Sequence, residues 1–256
     1  MKKPRIGVFK FTSCDGCQLS ILNLEEQLLD ILKVFDVAYF REVSDKPLAG
    51  HFDIAVIEGS ISTDRQVEEI IDVRERSTFM ISIGACATCG GVQALKNWAS
   101  AAEYKRSVYP SPEVIETLAT SDPISEHVHV DYELWGCPPD NSAILKTLTS
   151  FLLGRRPPVP TYALCMECKQ KGIPCILVSQ SEPCLGPITK AGCGVLCPSL
   201  DRPCYGCFGP KEGANIDSLF TVFKQFGYSQ NECMQMIDKM NTYAYRKEKY
   251  KAASPT

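Results

Sequence analysis

Short apolar runs alternate along the first half of the chain with longer stretches in which apolar positions recur every three or four residues. The runs "RIGVFKF" (5–11), "DVAYF" (36–40), "DIAVIEG" (53–59), "TFMISIG" (78–84) and "HVDYELWG" (129–136) predict five strands. Between them, residues 17–33 carry Leu19, Ile21, Leu22, Leu28, Leu29 and Leu32 at helical spacing. "DRQVEEIIDVRER" (64–76) predicts a helix opened by Thr63 or Asp64 as cap, and "DNSAILKTLTSFLLG" (140–154) predicts another that stops at Gly154. Continuous apolar strands separated by helices imply a parallel sheet covered on both faces.

The pattern then changes. "GRRPPVP" (154–160) breaks the chain and marks a domain boundary. Residues 161–213 are rich in Gly, Pro and Cys with little periodicity, so another source of order is expected there, and bound metal supplies one. A helical pattern over 215–227, a polar helix and a charged tail complete the chain. The C-terminal block holds two cysteine quartets, and no other internal repeat is evident.

Composition sharpens the picture at one point. The chain has 256 residues, 45% hydrophobic and 22% charged, with a net charge of -3. That balance suits a globular protein and gives no reason to expect nucleic acid or an anionic membrane as partner. Only His51, His127 and His129 are present, which leaves little material for histidine chemistry. Cysteine is the outlier, at 14. The N-terminus lacks a secretory apolar segment, Arg155-Arg156 is internal, and no run approaches a membrane span. A cytoplasmic location is therefore expected, where disulfides are disfavoured and many cysteines point to metal.

The N-terminal cysteines sit just past predicted strand ends. Cys14 and Cys17 follow the first strand, Cys86 follows "TFMISIGA", and Cys137 follows "DYELWG". Ligands of open α/β sheets bind at that carboxyl edge. Four thiolates from three loops make a site for a [4Fe-4S] cluster or for zinc. The rival for "SCDGCQ" alone is a thioredoxin-like dithiol, and Cys89, three residues past Cys86, is an alternative ligand on local spacing. Cys233 reads as a buried structural cysteine. Glu58 lies past a strand end near the same edge, either shaping a partner interface or solvated. In "CMECKQKGIPC" (165–175), "EPCLGPITKAGCGVLCP" (182–198) and "PCYGCFGP" (203–210), the two C-x-x-C pairs each accompany singly spaced cysteines. That spacing favours iron–sulfur sites over zinc ribbons.

"TSCDGCQLS", "EGSIST", "GACATCGG", "GCPP" and "CLGPITKAGCGVLCP…PCYGC" together resemble the small subunit of [NiFe] hydrogenases, across residues 5 to 210 and with the motifs in family order. The likeness is greatest to the delta subunit of cytoplasmic, NAD(P)-linked, heterotetrameric hydrogenases of the sulfhydrogenase type. The 20 kDa quinone-reductase subunit of respiratory complex I shares the N-terminal part and "GCPP" but usually has adjacent cysteines in place of C-x-x-C.

The resemblance implies an α/β fold: a flavodoxin-like parallel-sheet domain over 1–155, followed by an irregular, Cys-rich iron–sulfur domain over 156–256. It implies three [4Fe-4S] clusters. Cys14, Cys17, Cys86 and Cys137 would hold the proximal one, with Cys86 rather than Cys89 in the family's G-x-C-A-x-x-G-G motif. Cys193, Cys197, Cys204 and Cys207 would hold the medial cluster, and Cys165, Cys168, Cys175 and Cys184 the distal one. It further implies a large subunit that carries the Ni–Fe centre, and flavin and Fe–S subunits that serve NAD(P). This chain would carry electrons between them, with no catalytic residue of its own. No nucleotide-binding motif is present. The competing classes are a complex I-like or nickel-free Fe–S subunit, a non-catalytic metal scaffold, and a thiol oxidoreductase using Cys14 and Cys17.

Overall fold

A computed structural model describes residues 3–43 and 48–251, with the side chains of residues 250 and 251 outside the description. The chain divides into two compact units, residues 1–144 and 145–256.

The first unit is built on five parallel strands: β1 (Arg5–Lys10), β2 (Asp36–Phe40), β3 (Phe52–Glu58), β4 (Ser77–Ile83) and β5 (Tyr132–Leu134). Their order is β2-β1-β3-β4-β5, the flavodoxin-like arrangement. Four successive residues of β1 (Ile6 to Phe9) and five of β3 (Ile54 to Glu58) are buried, so both faces of the sheet are covered. On one face Phe9 stacks on Tyr39 and meets Phe52 edge-on, over a core that includes Ile57, Ile70, Val73 and Met80.

The helices of this unit are α1 (Gly16–Leu22), α2 (Glu26–Val34), α3 (Asp64–Glu75), α4 (Gly84–Cys89) and α5 (Ala101–Val108). The amphipathic stretch 17–33 is thus two helices. The chain turns at Asn23–Glu25, where Glu25 has a positive φ of 51°, and Leu24 enters the core between them. The leucine stripe does not follow it inward: α2 buries no residue, and Leu19, Leu29 and Leu32 lie on the surface.

The predicted fifth strand is also shortened. Asp131 keeps its N–H on the Met80 carbonyl (3.0 Å), but its carboxylate takes the Met80 N–H (2.8 Å) and the Arg74 guanidinium (2.7 Å), which ends the ladder there. Thr63 caps α3, its Oγ1 accepting from the Gln66 N–H at 3.3 Å. Thr63→Ala is expected to cost about 1 kcal/mol of stability, read as a lower denaturation midpoint.

Helix α6 (Asn141–Leu152) spans the division between the units. The second unit contains α7 (Leu164–Gln170), α8 (Ile176–Ser179), α9 (Leu196–Ser199), α10 (Ile216–Gln225), α11 (Gln230–Ile237) and α12 (Thr242–Lys251). Its irregular segment is not coreless: Leu164, Leu185, Ile188 and Val195 pack with Leu219, Phe220 and Phe223 of α10 and with Tyr245 of α12. A capping box of Ser229 and Glu232 opens α11. Among the described residues no helix is long and apolar enough to cross a membrane.

Candidate metal centre

The carboxyl edge of the sheet gathers the N-terminal cysteines. Past β1, the Phe11 and Thr12 N–H groups donate to the Glu58 and Ser60 carbonyls, which carries the pairing with β3 beyond the strands and fixes where the next loop starts. Asp15, at a left-handed φ of 66° and paired with Lys10 at 2.5 Å, turns the chain into α1. That turn leaves Cys14 exposed and sinks Cys17 into the first turn of the helix.

At the neighbouring ends, Ala85 donates its N–H to the Gly136 carbonyl at 2.7 Å, tying the Cys86 loop to the Cys137 loop. Gln93 lies 3.6 Å from the Cys86 sulfur and donates its amide to the Thr12 carbonyl at 2.9 Å, so it joins the Cys86 loop to the Cys14 loop. Gly84, at φ +83°, leaves the space into which the Cys17 sulfur fits.

Among the described residues, none of the 14 cysteines is joined in a disulfide. Burial pushes the Cys17 thiol far up, and Glu58, Cys86, Cys137 and Cys14 push it further. Cys86 is pushed up to about 11 by burial, against a hydrogen bond from Gln93 and with the charges of Cys137, Cys14 and Glu58 adding to the rise. Cys137 is raised by burial and then by Cys14. The four sulfurs predicted to share a site therefore lie within electrostatic reach of one another. Four thiolates within reach of one another would repel unless a cationic centre took them together, and four cysteine sulfurs are the donor set of an iron–sulfur cluster.

Cys89 has other bonds. It is buried in α4, and its thiol donates to the Ala85 carbonyl one turn back at 3.1 Å. Glu58 is buried as well, not solvated, with one carboxylate oxygen accepting the Cys17 N–H at 3.1 Å. Burial raises its pKa, against hydrogen bonds from Gln18 and Cys17.

In the second unit, Cys165 and Cys168 lie one turn apart on α7, Cys175 precedes α8, and Cys184 precedes a 3-10 turn at Gly186–Ile188. Cys165 is pushed up to about 11 by burial and then by Cys184, Cys168 and Cys175, so these three lie within electrostatic reach of it. The remaining cysteines group as two pairs. Cys197 is raised by burial, Cys193 and Cys184. Cys204 is raised by burial, against hydrogen bonds with the Gly206 N–H and the Thr189 hydroxyl, with Cys184 and Cys207 adding to the rise.

Cys184 thus lies within electrostatic reach of members of both C-terminal sets. Its sulfur accepts the Cys204 N–H at 3.2 Å, and the Cys204 sulfur accepts the Gly206 N–H at 3.4 Å. N–H groups aimed at sulfur favour its negative form. Among the described residues, no three His, Cys, Asp or Glu side chains meet at the spacing of a single metal ion. Two contacts at these sulfurs carried no signal in the sequence, Gln93 at Cys86 and Thr189 at Cys204, and neither did Tyr245, which bonds Thr189 from behind.

Residues 14–151 match the family model of the NADH ubiquinone oxidoreductase 20 kDa subunit. The chain is 36% identical to sulfhydrogenase 2 subunit delta of Pyrococcus furiosus, covering 86% of this chain and 92% of that one. It is 32% identical to a subunit of the F420-non-reducing hydrogenase of Methanococcus voltae, covering 93% and 92%. A chain of the NAD+-reducing [NiFe]-hydrogenase, solved in the H2-reduced state, superposes with a TM-score of 0.58 at 30% identity, covering 62% of this chain and 96% of that chain.

Proposed function

The chain belongs to the NADH ubiquinone oxidoreductase 20 kDa subunit family, among its hydrogenase members, and from that premise we propose that it is the electron-transfer small subunit of a [NiFe] hydrogenase. The observation that carries this reading is the convergence of Cys14, Cys17, Cys86 and Cys137, from three separate loops, on the carboxyl edge of the sheet. In the proposed assignment this quartet holds the proximal [4Fe-4S] cluster. Cys193, Cys197, Cys204 and Cys207 hold the medial cluster, and Cys165, Cys168, Cys175 and Cys184 the distal one. Such clusters pass one electron at a time between centres.

The chain's own residues supply position and environment. Gly84 and Gly136 shape the edge, Gln93 joins two of its loops, and the Gly206 and Cys204 N–H groups bias sulfur toward its negative form. The two cysteines outside this assignment are both buried in helices, Cys89 in α4 and Cys233 in α11, and a Ni–Fe centre needs more thiolates than two. Hydrogen chemistry accordingly belongs to a large-subunit partner, and flavin and Fe–S subunits for NAD(P) are the proposed acceptors.

The test is iron and acid-labile sulfide per chain on anaerobically purified protein, with EPR of the reduced form. About twelve of each are expected, and Cys137→Ala should lower both by about four. About eight irons with zinc bound would mean that one quartet is structural and the relay broken. Zinc at stoichiometry with little iron, in folded protein, would refute the relay and leave a scaffold.

A further inference from the structure

The C-terminal helix brings a chain of buried hydroxyls to one of the cysteines. Tyr245 of α12 and Thr189 are each 1% exposed, and Cys204 is 6% exposed. Tyr245 Oη lies 2.8 Å from Thr189 Oγ1 and donates to the Gly206 carbonyl at 3.3 Å. Thr189 Oγ1 donates to the Leu185 carbonyl at 2.7 Å and accepts from the Cys204 thiol at 3.8 Å. Gly206, at φ +78°, is what admits the tyrosine: a Cβ there would lie 2.8 Å from Tyr245 Oη.

A sulfur that has given up its proton to bind iron can only accept, so the hydroxyl becomes the donor. Turning the Thr189 proton toward sulfur orphans no buried acceptor. The Leu185 carbonyl keeps the Ile188 N–H at 3.1 Å. Tyr245 then donates to Thr189 Oγ1, and the Gly206 carbonyl it leaves keeps the Asn241 amide at 2.8 Å. In that setting every one of these buried groups keeps a partner, and the 2.8 Å contact between the two hydroxyls carries a proton, so a negative sulfur favours it.

We propose that Thr189 and Tyr245 are a positioning pair that sets the reduction potential of the cluster to which Cys204 contributes. With a cluster bound there, the Thr189 hydroxyl would donate to the Cys204 sulfur with Tyr245 donating behind it, and that bond would strengthen as negative charge on the sulfur grows. One electron enters, no bond to hydrogen is broken, and the reduced state is favoured. The proposal rests on the assignment of Cys204 as a cluster ligand, so its test begins there.

In the intact complex, Cys204→Ala should remove one EPR-detectable cluster. Potentiometric EPR titration should then show that same cluster harder to reduce in Thr189→Val and in Tyr245→Phe. The reduction equilibrium should fall about tenfold, the order of one hydrogen bond to a charged group, or ~59 mV for one electron. Thr189→Ser should restore the wild-type value, with iron content and the other clusters unchanged throughout. An unmoved potential in Thr189→Val with every cluster present would overturn the proposal. So would loss of the cluster in either hydroxyl variant, which would reduce the pair to packing. If Cys204→Ala removes no cluster, the ligand assignment fails, and this inference with it.

Discussion

Gly84→Ala is expected to abolish hydrogen-dependent electron transfer and to lower the iron content by about four per chain. A Cβ at residue 84 would lie 2.2 Å from the Cys17 sulfur, far inside any contact distance. The sulfur has no room to yield, because Cys17 is 7% exposed and its N–H is held by Glu58 at 3.1 Å. Backbone strain adds to the clash, since φ at Gly84 is +83°, a region that costs an L-residue about 1–2 kcal/mol. The clash therefore falls on a proposed ligand and on the joint between the β4 and β5 ends at once. Gly154→Ala is the matched control. Gly154 is also left-handed, at φ +62°, but a Cβ there meets nothing within 4 Å. That variant should lose a little stability and keep its iron. Full iron in Gly84→Ala would remove Cys17 from the ligand set.

Much of this edge was legible because strand ends are marked by the sequence itself. The apolar runs gave β1 to β4 to within a residue, and the parallel arrangement followed from the helices between them. A parallel sheet puts every strand's carboxyl end on one edge, so cysteines distant in sequence could be brought together from the pattern alone. Departures arose where a single side chain outweighed periodicity. Leu24 turns inward and splits one predicted helix into two, and Asp131 bonds the Met80 N–H in place of a ladder partner. Glu58 looked equally fit for solvent because burial depends on the neighbouring loops, which local sequence does not encode. The second unit was harder. Its apolar residues are scattered between cysteines without a period, and they find their core only against α10 and α12. For the same reason the partition of its cysteines cannot be read from spacing, and the Tyr245–Thr189–Cys204 chain spans a sequence distance at which no pattern operates.

Alkali should unfold the iron-free protein and largely spare the loaded one. Burial raises the thiols of Cys17, Cys86, Cys165 and Cys204 above their ordinary value of 9.0, Cys86 and Cys165 to about 11. A thiol raised in the folded state is neutral in both states below pH 9, where the stability of the neutral core is fully present. Above pH 9 the unfolded chain ionises first and binds fewer protons than the native one, so stability falls as pH rises toward the folded value. Each proton so released costs about 1.4 kcal/mol per pH unit while the two states differ. In the loaded protein the proposed ligands are thiolates already bound to iron, and they drop out of this balance. Cys89, pushed up to about 12 by burial and outside the proposed ligand set, titrates in both forms. Denaturation midpoints between pH 8 and 11 should therefore fall steeply without iron and shallowly with it, and Cys89→Ala should flatten the shallow curve further. The acid side reverses the order, because protons compete with iron for the same sulfurs and the loaded protein alone has a metal to lose. Identical alkaline curves with and without iron would mean that the buried thiols are not the ones that bind it.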